Sequence, residues 1–230
     1  MRVRLWCGSR SNFLAALALV CYAETARAED MRFRSVTVGD SAICGAACPE
    51  VIAAEGEITN RTPAAFLEFV RTHAPHKNLH AIVFLHSPGG KVLASMELGR
   101  MLRRAGAAAV VARAIPDDTG DGRTHFTGAR CFSACVYALM GGKKRVIPPE
   151  SLVGIHRMYA HQGGFDPERE AEDLPRRYDN RGVVSALSRY SGMMGVSPDL
   201  IAKAEHISHD RVHIVTPAEI ARWRLGKPTL

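Results

Sequence analysis

A chain of 230 residues that is 47% hydrophobic and carries a net charge of +7 has enough apolar content for a buried core and too much for a disordered segment. The basicity is uneven: residues 1–28 hold Arg2, Arg4, Arg10 and Arg27 against Glu24, and without them the net charge falls to about +4. No Lys/Arg run interleaved with aromatics is left, which argues against nucleic acid as a partner.

The first segment places those arginines ahead of an apolar stretch from Phe13 to Ala23 and closes on Ala26-Arg27-Ala28. A basic start, a short apolar centre and a small-x-small end predict a secretory signal peptide over residues 1–28, cleaved after Ala28. A lipoprotein signal using Cys21 is disfavoured because Val20 stands where a small residue is wanted. The expected product is residues 29–230, a single domain that is periplasmic or secreted, with no membrane span once the signal is removed.

Export leaves four cysteines, Cys44, Cys48, Cys131 and Cys135. An even count in an oxidising compartment favours disulfides, and three pairings are open. Both C-x3-C spacings are wrong for a zinc knuckle, so no metal is expected. Residues four apart in one helical turn lie within bridging reach, which favours Cys44–Cys48 and Cys131–Cys135.

In chain order, "GEI" (56–58) reads as the tail of a strand, and Thr62-Pro63 as the cap and first turn of a helix through about His73. "LHAIVFLHSPGG" is a buried strand that ends in a turn. Val92, Leu93, Met96, Leu98 and Leu102 mark an amphipathic helix, and "AAAVVARA" (107–114) the next strand. The insertion 115–129 is rich in Asp, Gly and Thr and is expected as a surface loop. Asp117, Thr119, Asp121 and Gly122 echo a calcium loop, but its closing twelfth position is Gly128 rather than a glutamate.

A helix is predicted from about Ser133 to Gly141, then two short strands around Pro148-Pro149, the second ending at His156. Leu174, Tyr178, Val183, Val184, Leu187 and Tyr190 predict a long helix over 167–192, and a shorter one spans Pro198 to Glu205. Thr216, Pro217 and Glu219 form a capping box for the last helix. Strand, helix, strand alternation indicates right-handed βαβ units, a mostly parallel sheet and a ligand site at the strand C-termini.

"SPGG" closing a strand, then "SAC…GGKKR", "VGIH" and "DRVHIVTPAEIARWRL" resemble, in order, the landmarks of the ClpP-like serine peptidases, especially their exported, cysteine-containing relatives. The resemblance runs from about Gly56 to Leu225. It implies the α/β ClpP/crotonase fold, a superhelix of repeated ββα units with flanking helices. It makes Ser133 the nucleophile, His156 the general base and Asp210 the acid that orients the imidazole. The N–H groups of Gly90 and Ala134 would form the oxyanion hole, at a turn where the backbone itself must approach the substrate. Glu205, Asp166 and Asp173 are alternatives to Asp210. His86, beside "SPGG", is a candidate for lining the substrate groove.

Each role has a structural alternative, Ser133 as a helix cap and His156 as a core histidine. A serine-lysine dyad, also found on this fold, would draw on Lys143 or Lys144, which a "GGKKR" turn leaves solvated. The chain departs from the Clp peptidases in its leader, in the cysteines around the serine and in a longer connection between "SPGG" and the serine. It also lacks the segment that docks an unfolding ATPase. The expected activity is therefore ATP-independent hydrolysis of a peptide or protein substrate, with no cofactor, no ATPase partner and the homo-oligomer left open. A non-catalytic scaffold that keeps the groove is the second reading, and acyl-CoA chemistry a third, disfavoured by export.

Overall fold

A strand covered on both faces must be apolar on both, and Ile82–His86 (β3) meets that condition: Val83 and Leu85 enter one core, Phe84 another. The computed structural model describes residues 29–39, 44–45, 48–73, 82–116, 124–158, 160–161, 176–177 and 181–229. The expected signal peptide, residues 117–123 of the polar insertion and most of 162–180 lie outside the described residues.

Around β3 the main sheet runs β1 (Arg32–Thr37), β2 (Glu50–Glu55), β3, β4 (Ala108–Val110), β8 (Lys144–Val146). Only β1–β2 is antiparallel. Helices α1 (Thr62–His73), α2 (Val92–Arg104) and α3 (Cys135–Gly141) join the strands. A second sheet places β9 (Leu152–Ile155) between β7 (Arg130–Phe132), parallel to it, and β12 (His213–Ile214), antiparallel. Helices α4 (Arg181–Met193), α5 (Asp199–Glu205) and α6 (Pro217–Arg222) complete this side, and a two-residue pair joins β10 (Ala160–His161) to β11 (Arg176–Arg177). Among the described residues no helix is long and apolar enough to cross a membrane.

Helix α3 is buried on every side, as its all-apolar "CVYALMG" requires. Small residues let α2 reach it: a Cβ on Gly99 would lie 2.7 Å from the Tyr137 carbonyl, and one on Gly141 2.0 Å from the Gly99 carbonyl. Tyr190 from α4 donates its hydroxyl to the Tyr137 carbonyl at 2.7 Å. The helix that begins beside Ser133 is thus clamped by its two neighbours.

Four expectations are corrected. The run 107–114 is not one strand: the chain bends at Val111, whose carbonyl accepts from the Ser151 hydroxyl, and β5 (Ala112–Pro116) leaves to pair antiparallel with β6 (Thr124–Gly128). Part of the supposed surface loop is therefore strand, and its small apolar residues carry no break signal. Within the helix expected over 167–192, Arg176–Arg177 is strand (β11) and the described helix is Arg181–Met193. "GEI" follows β2 rather than ending it, with Ile58 bridged to Gly90.

The capping box forms as read: Glu219 N–H donates to Thr216 Oγ1 at 3.3 Å and Thr216 N–H to Glu219 Oε2 at 2.9 Å. Burial raises the Glu219 pKa, but the Thr216 N–H and the nearby His213 outweigh it and leave the carboxyl below its ordinary value. A depressed folded pKa stabilises above the unfolded value and loses that stability as pH falls through the folded one. Thr216→Ala is therefore expected to lower stability by about 1 kcal/mol. Urea midpoints measure this, and the deficit should shrink as Glu219 is protonated. An unchanged midpoint at neutral pH would show that the cap carries no stability.

Candidate active site

Ser133 follows β7 at φ 55°, one of two non-glycine residues at positive φ among those described. A serine held there is strained by roughly 1–2 kcal/mol and persists only where its surroundings over-determine it. Those surroundings are visible. Ser133 N–H donates to the Gly154 carbonyl on β9 at 2.8 Å, and the buried Ser95 hydroxyl on α2 donates to the Ala134 carbonyl. The Cys131–Cys135 disulfide, Cα–Cα 5.2 Å, spans the three residues between, and both its cysteines are fully buried. Cys44 and Cys48 are also bridged, Cα–Cα 4.8 Å, so both local pairings are present.

The "SPGG" turn is pressed against this elbow. Ser87 N–H donates to the Arg130 carbonyl at 2.8 Å, the Ser87 carbonyl accepts from Phe132 N–H at 3.1 Å, and Ser87 Oγ accepts from Gly89 N–H at 3.1 Å. Gly89 and Gly90 have φ 112° and 130°. A Cβ on Gly89 would stand 2.7 Å from Ser133 Cβ and 3.1 Å from Ala134 N. Among the described residues, the Gly90 and Ala134 N–H groups donate to no protein acceptor. Unpaired N–H groups in the turns around a serine are the kind of donor that can receive an oxyanion.

His156 is placed by register. Because β7 and β9 are parallel with Phe132 beside Gly154, both chains continue past their strand ends at the same edge, one into Ser133 and the other into His156. The half-buried ring puts Nδ1 2.9 Å from the Arg157 carbonyl. A carbonyl only accepts, so Nδ1 is the donor in this contact, and in the neutral ring the lone pair then falls on Nε2. The loop is anchored to the end of α5: Arg157 N–H donates to the Ile207 carbonyl at 2.9 Å and its Nη2 to the Glu205 carbonyl at 2.8 Å.

No hydrogen bond joins Asp210 to His156. In the antiparallel β12–β9 pair His213 faces Ile155, so the position next to His156 falls to Val212, and Asp210 lies two residues farther on in a turn. There it is exposed, and a Ser208 hydrogen bond first, then its own backbone and the Arg211 charge, holds its carboxyl below the ordinary aspartate value against a small opposing effect of desolvation. Of the other acids, Glu205 accepts from Met158 N–H at 3.4 Å, while Asp166 and Asp173 lie outside the described residues. Lys143 and Lys144 are exposed at the end of α3 opposite Ser133. His86 has its pKa lowered by burial and then by Arg113, and its Nδ1 accepts from Arg130 N–H at 3.3 Å, bracing the serine strand.

Ser87, Ser95 and the Arg157 carbonyl were not read from the sequence. Ser87 lay inside the quoted motif as a turn-forming residue. Ser95, in mid-helix, offered no signal.

No family model matches the chain, and no curated protein matches it. Solved structures do. One is a serine-to-alanine mutant of "1510-N membrane-bound stomatin-specific protease", with a TM-score of 0.50 and 18% identity, covering 75% of this chain and 74% of that one. Another is a lysine-to-alanine mutant of the same protease "in complex with a substrate peptide", with a TM-score of 0.51 and 18% identity over 75% and 70%. Likeness at this identity bears on architecture alone, and with the sheet order and turns described above, the chain has the fold of the ClpP-like serine proteases.

Proposed function

We propose that residues 29–230 act as one domain, an exported serine hydrolase that cleaves peptide bonds through an acyl-enzyme on Ser133, without ATP. The observation that carries this reading is the positive-φ Ser133 pressed against the Gly89 turn, with unpaired N–H groups on Gly90 and Ala134 and His156 at the adjoining strand end. Ser133 Oγ attacks the scissile carbonyl as His156 Nε2 takes its proton, and the Gly90 and Ala134 amides receive the oxyanion. Each such donor is worth about 2.7–4 kcal/mol of barrier in comparable sites. The imidazolium then protonates the leaving amine, and water repeats the sequence to free the enzyme.

The third role departs from the triad pattern. The Arg157 carbonyl occupies the Nδ1 hydrogen bond that a triad acid would take, and Asp210 is hydrogen-bonded to Ser208 instead. The lysine mutated in one structural neighbour suggests a dyad, but Lys143 and Lys144 stand at the wrong end of α3. Two buried or local cystines suit the oxidising compartment that the leader implies. Among the described residues no acid is hydrogen-bonded to His156, and a groove that binds peptide without turnover is the second reading.

Labelling of disulfide-intact residues 29–230 with a fluorophosphonate probe separates the two. Ser133→Ala and His156→Ala are expected to abolish labelling. Asp210→Asn is expected to leave it near wild type, where a true triad acid would cost roughly 10⁴-fold. No labelling that depends on Ser133 would transfer the chain to the binding reading.

A further inference from the structure

The lysine pair that the catalytic reading leaves unused is part of a second site. A cavity of about 670 Å³ lies along β8, the edge of the main sheet, where Lys227 bridges to Val146. Five cations line it, Lys143, Lys144, Arg145, Arg224 and Lys227, and none of its lining residues is acidic. Residues 29–230 carry only about +4 in total, so this concentration is local rather than a sample of general basicity.

Four of the five cations divide into two kinds, and the fifth, Arg224, donates its Nε to the Gly195 carbonyl at 3.4 Å. Arg145 is committed to backbone: its guanidinium donates to the carbonyls of Leu225 at 2.8 Å, Arg224 at 2.9 Å and Met194 at 3.1 Å. It ties the C-terminal segment to β8 and supplies charge with no free fork. The ammonium groups of Lys143, Lys144 and Lys227, by contrast, have no hydrogen-bond or ion-pair partner among the described residues. Three ammonium groups over a positive floor favour a compact, multiply charged anion, which lysine binds as a point charge. Val146 and Pro228 add aliphatic wall, and the volume falls in the range of small-ligand sites.

We infer that this cavity binds a multiply charged phosphate anion, at the end of α3 opposite Ser133 and independently of the hydrolase site. Lys143, Lys144 and Lys227 would contact the phosphate oxygens. A free organic phosphate and a phospholipid headgroup share this chemistry.

Calorimetric titration with inorganic pyrophosphate at low ionic strength, and flotation with phosphatidic acid against phosphatidylcholine vesicles, separate the two sources. Binding is expected in at least one arm, weakening as salt screens the lysines. Each Lys→Gln substitution is expected to weaken it roughly tenfold, as for a lost charge-assisted hydrogen bond. The triple Lys143→Gln/Lys144→Gln/Lys227→Gln variant should lose it while keeping its far-ultraviolet circular dichroism and its Ser133 labelling. Binding of pyrophosphate alone assigns a soluble phosphate, and binding of anionic vesicles alone a headgroup. No binding in either arm, or binding that the folded triple variant retains, would overturn the assignment. Neither result bears on the hydrolase reading, which the labelling tests separately.

Discussion

Gly89→Ala is expected to abolish Ser133 labelling in a protein that still folds, with a loss of at least about 10²-fold. The methyl group would arrive 2.7 Å from both the Phe132 carbonyl oxygen and Ser133 Cβ, and 3.1 Å from Ala134 N. None of these is the end of a flexible side chain, so the backbone of the elbow itself must move. At φ 112° the alanine also pays a conformational penalty of about 1–3 kcal/mol. Gly195→Ala separates the two effects: Gly195 has φ 73°, and a Cβ there meets nothing within 4 Å. That variant is expected to lose stability by about 1 kcal/mol and to label like wild type. If Gly89→Ala lowered the denaturation midpoint no more than Gly195→Ala and labelled normally, the contact between the "SPGG" turn and the serine would have no catalytic importance.

The same contact explains what the sequence made legible. Two adjacent glycines after an apolar strand announce a backbone that must come close to something, and a serine at the start of an apolar helix announces a candidate for it. Both signals are local. His156 was legible because β9 is short, apolar and bounded by a proline turn, so its C-terminal residue had to fall at the sheet edge. The place of Asp210 was less legible because it depends on the register of β12 against β9. "DRVHIV" alternates equally well in more than one register, and the one adopted gives the place beside His156 to Val212. The tautomer role passed to a main-chain carbonyl, which no residue type can signal. The split of 107–114 was hidden for a related reason: Ala, Val and Arg continue a strand without interruption, and only the partner of each half distinguishes β4 from β5.

Removing the Cys131–Cys135 bridge is expected to cost both stability and labelling, in different proportions. For a loop this short the chain-entropy contribution is about 2 kcal/mol, and two fully buried sulfurs also leave a void. The labelling effect has a separate origin. Cys131 belongs to β7 and Cys135 opens α3, so the cystine fixes the span across which the chain must turn at Ser133. Ser133 N–H to Gly154 and Ser95 to Ala134 secure the elbow on either side, but neither limits the distance between the strand end and the helix start. Without the bridge, relaxation of Ser133 out of positive φ gains roughly 1–2 kcal/mol for the unproductive conformer, which is a loss of about tenfold in rate. The Cys131→Ala/Cys135→Ala variant, labelled well below its own denaturation midpoint, is expected to show that drop, because unfolding contributes nothing there. A rate that fell only as the folded fraction fell would leave the cystine as a stabiliser of the fold, with the two hydrogen bonds alone aiming Ser133.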